Sequence, residues 1–117
     1  MEKVDLFRDL SYEIVGLAIE VHQIYGSNHK EMIYQRALAE KFSLAGIKFE
    51  QEPKIAVISF DTGAQLGWYQ PDFLVDGKII LELKATTYPL RVHEAQLRDY
   101  LKCTKIELGY LLNFGPS

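Results

Sequence analysis

Cysteine is nearly absent from this 117-residue chain: Cys103 stands alone, so no disulfide can form within it. That fits a reducing compartment, and the cytoplasm is the expected location. Long apolar runs are missing as well. None approaches the roughly 20 residues that a membrane-spanning helix needs, so no membrane partner is expected. The start is charged (Glu2, Lys3, Asp5, Arg8, Asp9) and has no apolar segment of the signal-peptide kind. Positive charge is not in excess. The net charge of −3 and the pI near 5.6 argue against a broad, non-specific grip on nucleic acid. Glycine-rich phosphate or dinucleotide loops, zinc-ligand spacings, internal repeats and low-complexity tracts are also lacking.

What is present suits one domain over residues 1–117. A chain of this length buries roughly 60–70% of its unfolded surface, enough for a core without staples. Residues 11–25 carry Ile14, Leu17, Ala18, Val21 and Ile24 at helical spacing, and Gly26-Ser27-Asn28 ends that helix, with Asn28 able to turn left-handed. A second helix is expected over 30–45, with Ile33, Ala37, Leu38 and Phe42 inward and Gly46 as its cap. Strand patterns follow at 49–51, 55–60, 67–74 and 78–85, with a hairpin turn at Asp61-Thr62-Gly63. Pro71 demotes the third of these towards an edge or a bulge. A helix over 92–103 and a strand over 106–112 close the chain. The expected class is α/β, a mixed sheet flanked by helices in the order α-α-β-β-β-β-α-β.

Chemistry concentrates at Pro71-Asp72 and Glu82-Leu83-Lys84. Glu82 and Lys84 are two apart on one strand and share a face. They interrupt the apolar run Ile79, Ile80, Leu81 and Leu83, where a charge is costly without a partner or a metal. Whether Asp72 joins them depends on register. A three-residue loop of Val75, Asp76 and Gly77 pairs Leu74 with Lys78. It sets Asp72 opposite Ile80 and diagonal to Glu82, all on one face, and this is the expected hairpin. A two-residue turn at Asp76-Gly77 slips the register by one and turns Asp72 away.

These residues resemble the PD-(D/E)XK nuclease superfamily and, within it, the small GxxExxY proteins. Pro71-Asp72 and Glu82-Leu83-Lys84 match the name motif, and Glu31-Met32-Ile33-Tyr34 matches the ExxY signature. Val21-His22 and Gly26 fit upstream. His93-Glu94-Ala95-Gln96, Asp99-Tyr100-Leu101 and the ending 109–115 fit downstream. The family usually has glycine where this chain has Asn28.

The resemblance implies a restriction-endonuclease-like fold and a metal-dependent nuclease. Such an enzyme hydrolyses phosphodiester bonds through a metal-activated water, with DNA ahead of RNA as substrate. Asp72, Glu82, the Leu83 carbonyl and Glu31 would hold Mg²⁺ or Mn²⁺, both of which favour oxygen ligands. Asp72, Glu82, Lys84 and Gln96 form the implied catalytic set, with Lys84 positioning water or offsetting phosphate charge. Gln96 and Tyr100 share a helix face and would meet nucleic acid. Tyr34 and His93 are candidates for supporting the ligands. The plain alternatives are an ion-paired cluster around Lys84, a helix-start acid at Glu31, and an ordinary half-buried tyrosine at Tyr34. At the level of function they are an inactive nuclease-fold module that binds nucleic acid or regulates, or an interaction subunit of a larger assembly. The small size suggests a homodimer or a larger protein partner around a duplex.

Overall fold

The computed structural model describes residues 7–116. Helix α1 (Arg8–Tyr25) and helix α2 (Glu31–Leu44) are followed by β1 (Phe49–Gln51), β2 (Ile55–Ile58), β3 (Gln65–Tyr69), β4 (Phe73–Val75) and β5 (Ile79–Lys84). Helix α3 (Arg91–Lys102) and β6 (Leu108–Asn113) complete the chain. The class is α/β as the sequence implies, with one strand more than expected. The segment 67–74 is not continuous: Gln70-Pro71-Asp72 breaks it into β3 and β4, which join different sheets. Proline has no N–H for a ladder and fixes its own φ, so the strand cannot run through it.

The main sheet has the order β1-β4-β5-β6, and β2 and β3 form a separate hairpin. Strand β5 is antiparallel to β4 and parallel to β6, the reversal requiring the α3 crossover between β5 and β6. One face of the sheet packs Phe73, Val75, Ile79, Leu81 and Leu83 against Ile14, Ala18 and Val21 of α1 and Tyr34, Leu38 and Phe42 of α2. The opposite face packs Ile80 and Leu74 against Leu97 of α3 and Tyr69 of the hairpin. Strand β5 is therefore covered on both sides, and only Glu82 and Lys84 in it are not fully buried.

Two helix details differ from expectation. Ile33 is 41% exposed, because α2 centres its inner face on Tyr34, Ala37 and Leu38. The left-handed residue after α1 is Gly26 (φ 77°), and Asn28 does not take a positive φ.

The β4–β5 hairpin also differs. Asp76 and Gly77 both have positive φ (51° and 66°), and the Lys78 N–H donates to the Val75 carbonyl at 2.9 Å. This is the two-residue turn, a type I′ geometry that the Asp-Gly pair favours. Yet Val75 pairs with Ile79, and Lys78 is left over as a bulge. The extra residue restores the parity that the turn alone would have flipped. The ladder runs Val75↔Ile79, Leu74↔Ile80, Phe73↔Leu81. Continued by one residue, it sets Asp72 across from Glu82, where the expected register had set it across from Ile80.

Candidate active site

The site forms where β5 outruns β4. Pairing between them ends at Phe73↔Leu81, while β5 stays paired with β6 as far as Lys84↔Asn113. Carbonyl directions alternate along a strand. The Lys84 carbonyl points to the β6 side, where it accepts the Phe114 N–H at 2.7 Å. Leu83 therefore faces the β4 side, and its N–H donates to Oδ2 of Asp72 at 2.7 Å. The same register sets Leu83 opposite Pro71, which has no N–H to give to the Leu83 carbonyl.

Asp72 is held from several directions. Its Oδ1 accepts from Nε2 of Gln35 on α2 at 2.7 Å, and Gln35 Oε1 accepts from Nε2 of Gln51 on β1 at 2.7 Å. Its backbone carbonyl accepts the Glu52 N–H at 2.8 Å.

Glu82 is half-buried. Burial raises its pKa, and the neighbouring charge of Asp72 raises it further, while Tyr69 and Lys84 pull it back. The Tyr69 hydroxyl is itself buried (the residue is 5% exposed) and has its own pKa pushed up, by burial first and by Glu82 second. It has no hydrogen-bond partner of full geometry among the described residues. Its approach to Glu82 is thus a close polar contact and not a formed hydrogen bond. The Tyr69 ring stacks on that of Tyr100 at 3.9 Å, tilted by 6°.

Lys84 is half-buried on the same strand face as Glu82 and pairs with no carboxylate within 4.0 Å among the described residues. An ion-paired cluster around Lys84 is therefore not what the side chains form, and Lys84 acts on Glu82 from beyond contact distance. The end of β5 is clamped beside it. Asn113 accepts from the N–H of Thr86 at 3.2 Å and donates to the carbonyl of Thr86 at 3.0 Å, and Gly115 lies so close that a Cβ there would fall 2.5 Å from the Thr86 oxygen.

A paired acid and an acid-x-lysine on adjoining strands, brought to one unpaired stretch of sheet, are the features that name a family. A family model for the PD-(D/E)XK nuclease superfamily matches residues 8–117. The chain belongs to this superfamily. No curated protein matches it, and no solved structure does. PD-(D/E)XK proteins are generally nucleases, and they typically use divalent metals.

The donors fit such an ion in kind. Asp72, Glu82 and the Leu83 carbonyl offer oxygen only, which suits a hard cation and excludes the softer metals that want sulfur or imidazole. In number they do not enclose it. Among the described residues no three His, Cys, Asp or Glu side chains converge on one point. Glu31 does not join the other two acids: its Oε2 accepts the Ala85 N–H at 3.3 Å, one residue past Lys84.

Tyr34 is fully buried and turned to the α1–α2 loop. Its hydroxyl donates to the Gly26 carbonyl and accepts the His29 N–H, and its ring stacks on Phe114 at 4.7 Å. In this PD-(D/E)XK chain it orders the helix entry that carries Glu31, and its hydroxyl bonds to the loop backbone and to no acid. On α3, Gln96 is exposed and, with His93 and Tyr100, lines an open groove of about 750 Å³. Tyr100 stacks on Tyr69, which in turn neighbours Glu82.

Gln35, Gln51 and Tyr69 are the site neighbours that sequence reading passes over. Gln35 had a signal: it lies four residues after Glu31 and so shares its helix face. Tyr69 had none, because the break at Pro71 hides which way it points.

Proposed function

We propose that this chain is a divalent-metal-dependent nuclease that hydrolyses phosphodiester bonds, with DNA ahead of RNA as substrate. The observation that carries the proposal is a pair of carboxylates, Asp72 and Glu82, beside a lysine that forms a contact ion pair with neither. Two adjacent acids with a single lysine acting on them from beyond contact distance leave a deficit of positive charge. The superfamily membership gives that deficit its meaning.

In this reading Asp72, Glu82 and the Leu83 carbonyl hold Mg²⁺ or Mn²⁺, and the remaining positions stay with water, as Mg²⁺ prefers. A bound divalent ion polarises the phosphoryl group and makes water a nucleophile near neutral pH. Lys84, free of an ion pair, places its ammonium against phosphate charge that develops during displacement. Glu31 flanks the site at Ala85 and supplies a further acid at its rim. Gln96 and Tyr100 take the nucleic-acid backbone along α3, with His93 beside them. The GxxExxY resemblance and the preference for DNA come from the sequence motifs. With little surface outside its core, the chain would enclose a duplex as a homodimer or with a larger protein partner. The single cysteine suits work in the cytoplasm.

Cleavage of a panel of single-stranded, duplex and branched DNA and RNA, with Mg²⁺ or Mn²⁺, tests the proposal. Wild type should cut at least one substrate, and Lys84→Ala should fold and lose the activity. Equal cutting by the two proteins would assign the cleavage to a contaminant.

A further inference from the structure

We infer that Gln35, oriented by Gln51, is the positioning residue that fixes the Asp72 carboxylate for a divalent ion. This rests on the metal-dependent reading above. A carboxylate can only accept hydrogen bonds, so the part of Gln35 that faces Asp72 is its NH₂ group. That choice turns Oε1 of Gln35 the other way, where the NH₂ group of Gln51 meets it at 2.7 Å. The donation runs in one direction, from β1 through α2 to Asp72. Neither amide can be flipped without breaking the chain.

Gln35 is 8% exposed, and only one other polar residue, Ser11, is as buried among the described residues. A buried amide is retained at a cost unless both of its ends are bonded, as both are here. Sequence gives three elements to one carboxylate: Gln35 from α2, Gln51 from β1 and the Leu83 N–H from β5. All are neutral donors, so they orient the carboxylate and leave its charge in place. A lysine or arginine in the same position would have cancelled the charge that an ion needs. Neutral outer partners of this kind set the direction of a ligand and tune its affinity for metal.

Titration of the full chain with Mn²⁺, by calorimetry and by the electron paramagnetic resonance signal of the free ion, tests the inference. Gln35→Met keeps the volume and removes both ends of the relay. It should weaken Mn²⁺ binding by about 10–100-fold. Gln51→Ala changes an exposed position on β1, leaves the core intact, and should weaken binding in the same direction by less. Thermal melts with and without Mn²⁺ separate positioning from packing. A packing role lowers both melts equally, whereas positioning also shrinks the gap between them. Wild-type-like Mn²⁺ affinity in Gln51→Ala and in any folded Gln35→Met would overturn the inference alone. A wild type that takes up no Mn²⁺ would overturn the metal reading, and the inference with it.

Discussion

The ring of Tyr100 lies flat against that of Tyr69, 3.9 Å away, and joins helix α3 to a hydroxyl buried beside Glu82. The helix motif thus touches the acids through an intermediary that belongs to the other sheet. Stacked aromatic pairs contribute about 0.5–1.5 kcal/mol beyond the area they bury. Tyr100→Ala should therefore destabilise the fold by about 2–3 kcal/mol, less than a fully buried aromatic truncation. Tyr100→Phe keeps the ring and should stay within about 0.5 kcal/mol of wild type. Urea denaturation of the three proteins checks this, and equal losses in Ala and Phe variants would show that the stack is not the source.

Glu82 gives the protein in the absence of metal a pH signature. Its folded-state pKa lies above the ordinary glutamate value of 4.5, mainly through burial. Between that value and the raised one, the folded chain binds more protons than the unfolded chain. This residue's contribution to stability then falls as pH rises through the window and levels off above it. Glu82→Gln cannot ionise and should gain on wild type across the same window. Denaturation series in EDTA from about pH 4 to 8 measure the difference. A difference that stays flat with pH would remove Glu82 as the source.

Asp72→Ala should do two separate things. It leaves the Gln35 amide and the Leu83 N–H without their acceptor, at a loss of about 1–3 kcal/mol in the absence of metal. If the proposed site binds Mn²⁺, it should also abolish the stabilisation expected of wild type, about 2.7 kcal/mol at 100 times the dissociation constant. Melts at several Mn²⁺ concentrations separate the effects. A variant that still gains stability with Mn²⁺ would place the ion elsewhere.

Gly115→Ala should disturb the site from outside it. The new methyl would sit 2.5 Å from the Thr86 carbonyl oxygen, with the Thr86 backbone nitrogen at 2.6 Å, and neither can step aside as a side chain would. Overpacking of this kind costs about 1–3 kcal/mol. Because the adjoining Phe114 N–H holds the Lys84 carbonyl, strain here should lower the cleavage rate as well as the melting temperature. Normal melting with normal cleavage would show that the clamp yields freely.

Much of this arrangement was legible in the sequence. Ile14, Ala18 and Val21 at helical spacing, and the apolar run around Glu82 and Lys84, gave the helices and the covered strand because burial imposes those periods. The acids and Lys84 stood out by breaking the apolar pattern. The hairpin was only half legible. Parity was right, but the register was two residues away from the one expected, since a bulge at Lys78 carries no local composition signal. Gln35 and Gln51 escaped because a glutamine's worth is set by what lies across from it, and β1, α2 and β5 meet only in three dimensions. Ile33 read as an inward residue by type, yet hydrophobicity does not fix the centre of a helix face when Tyr34 and Leu38 already fill it.

Pro71 divides the chain between two layers within a span of three residues: Tyr69 belongs to the β2–β3 hairpin and Asp72 leads into the four-stranded sheet. The surroundings of Glu82 are consequently built by the docked pair of layers and by neither alone. A local opening of the hairpin that leaves α1, α2 and the main sheet standing would strip Tyr69 from Glu82 well below the global melting point, so in the proposed nuclease cleavage should fail before helix content does.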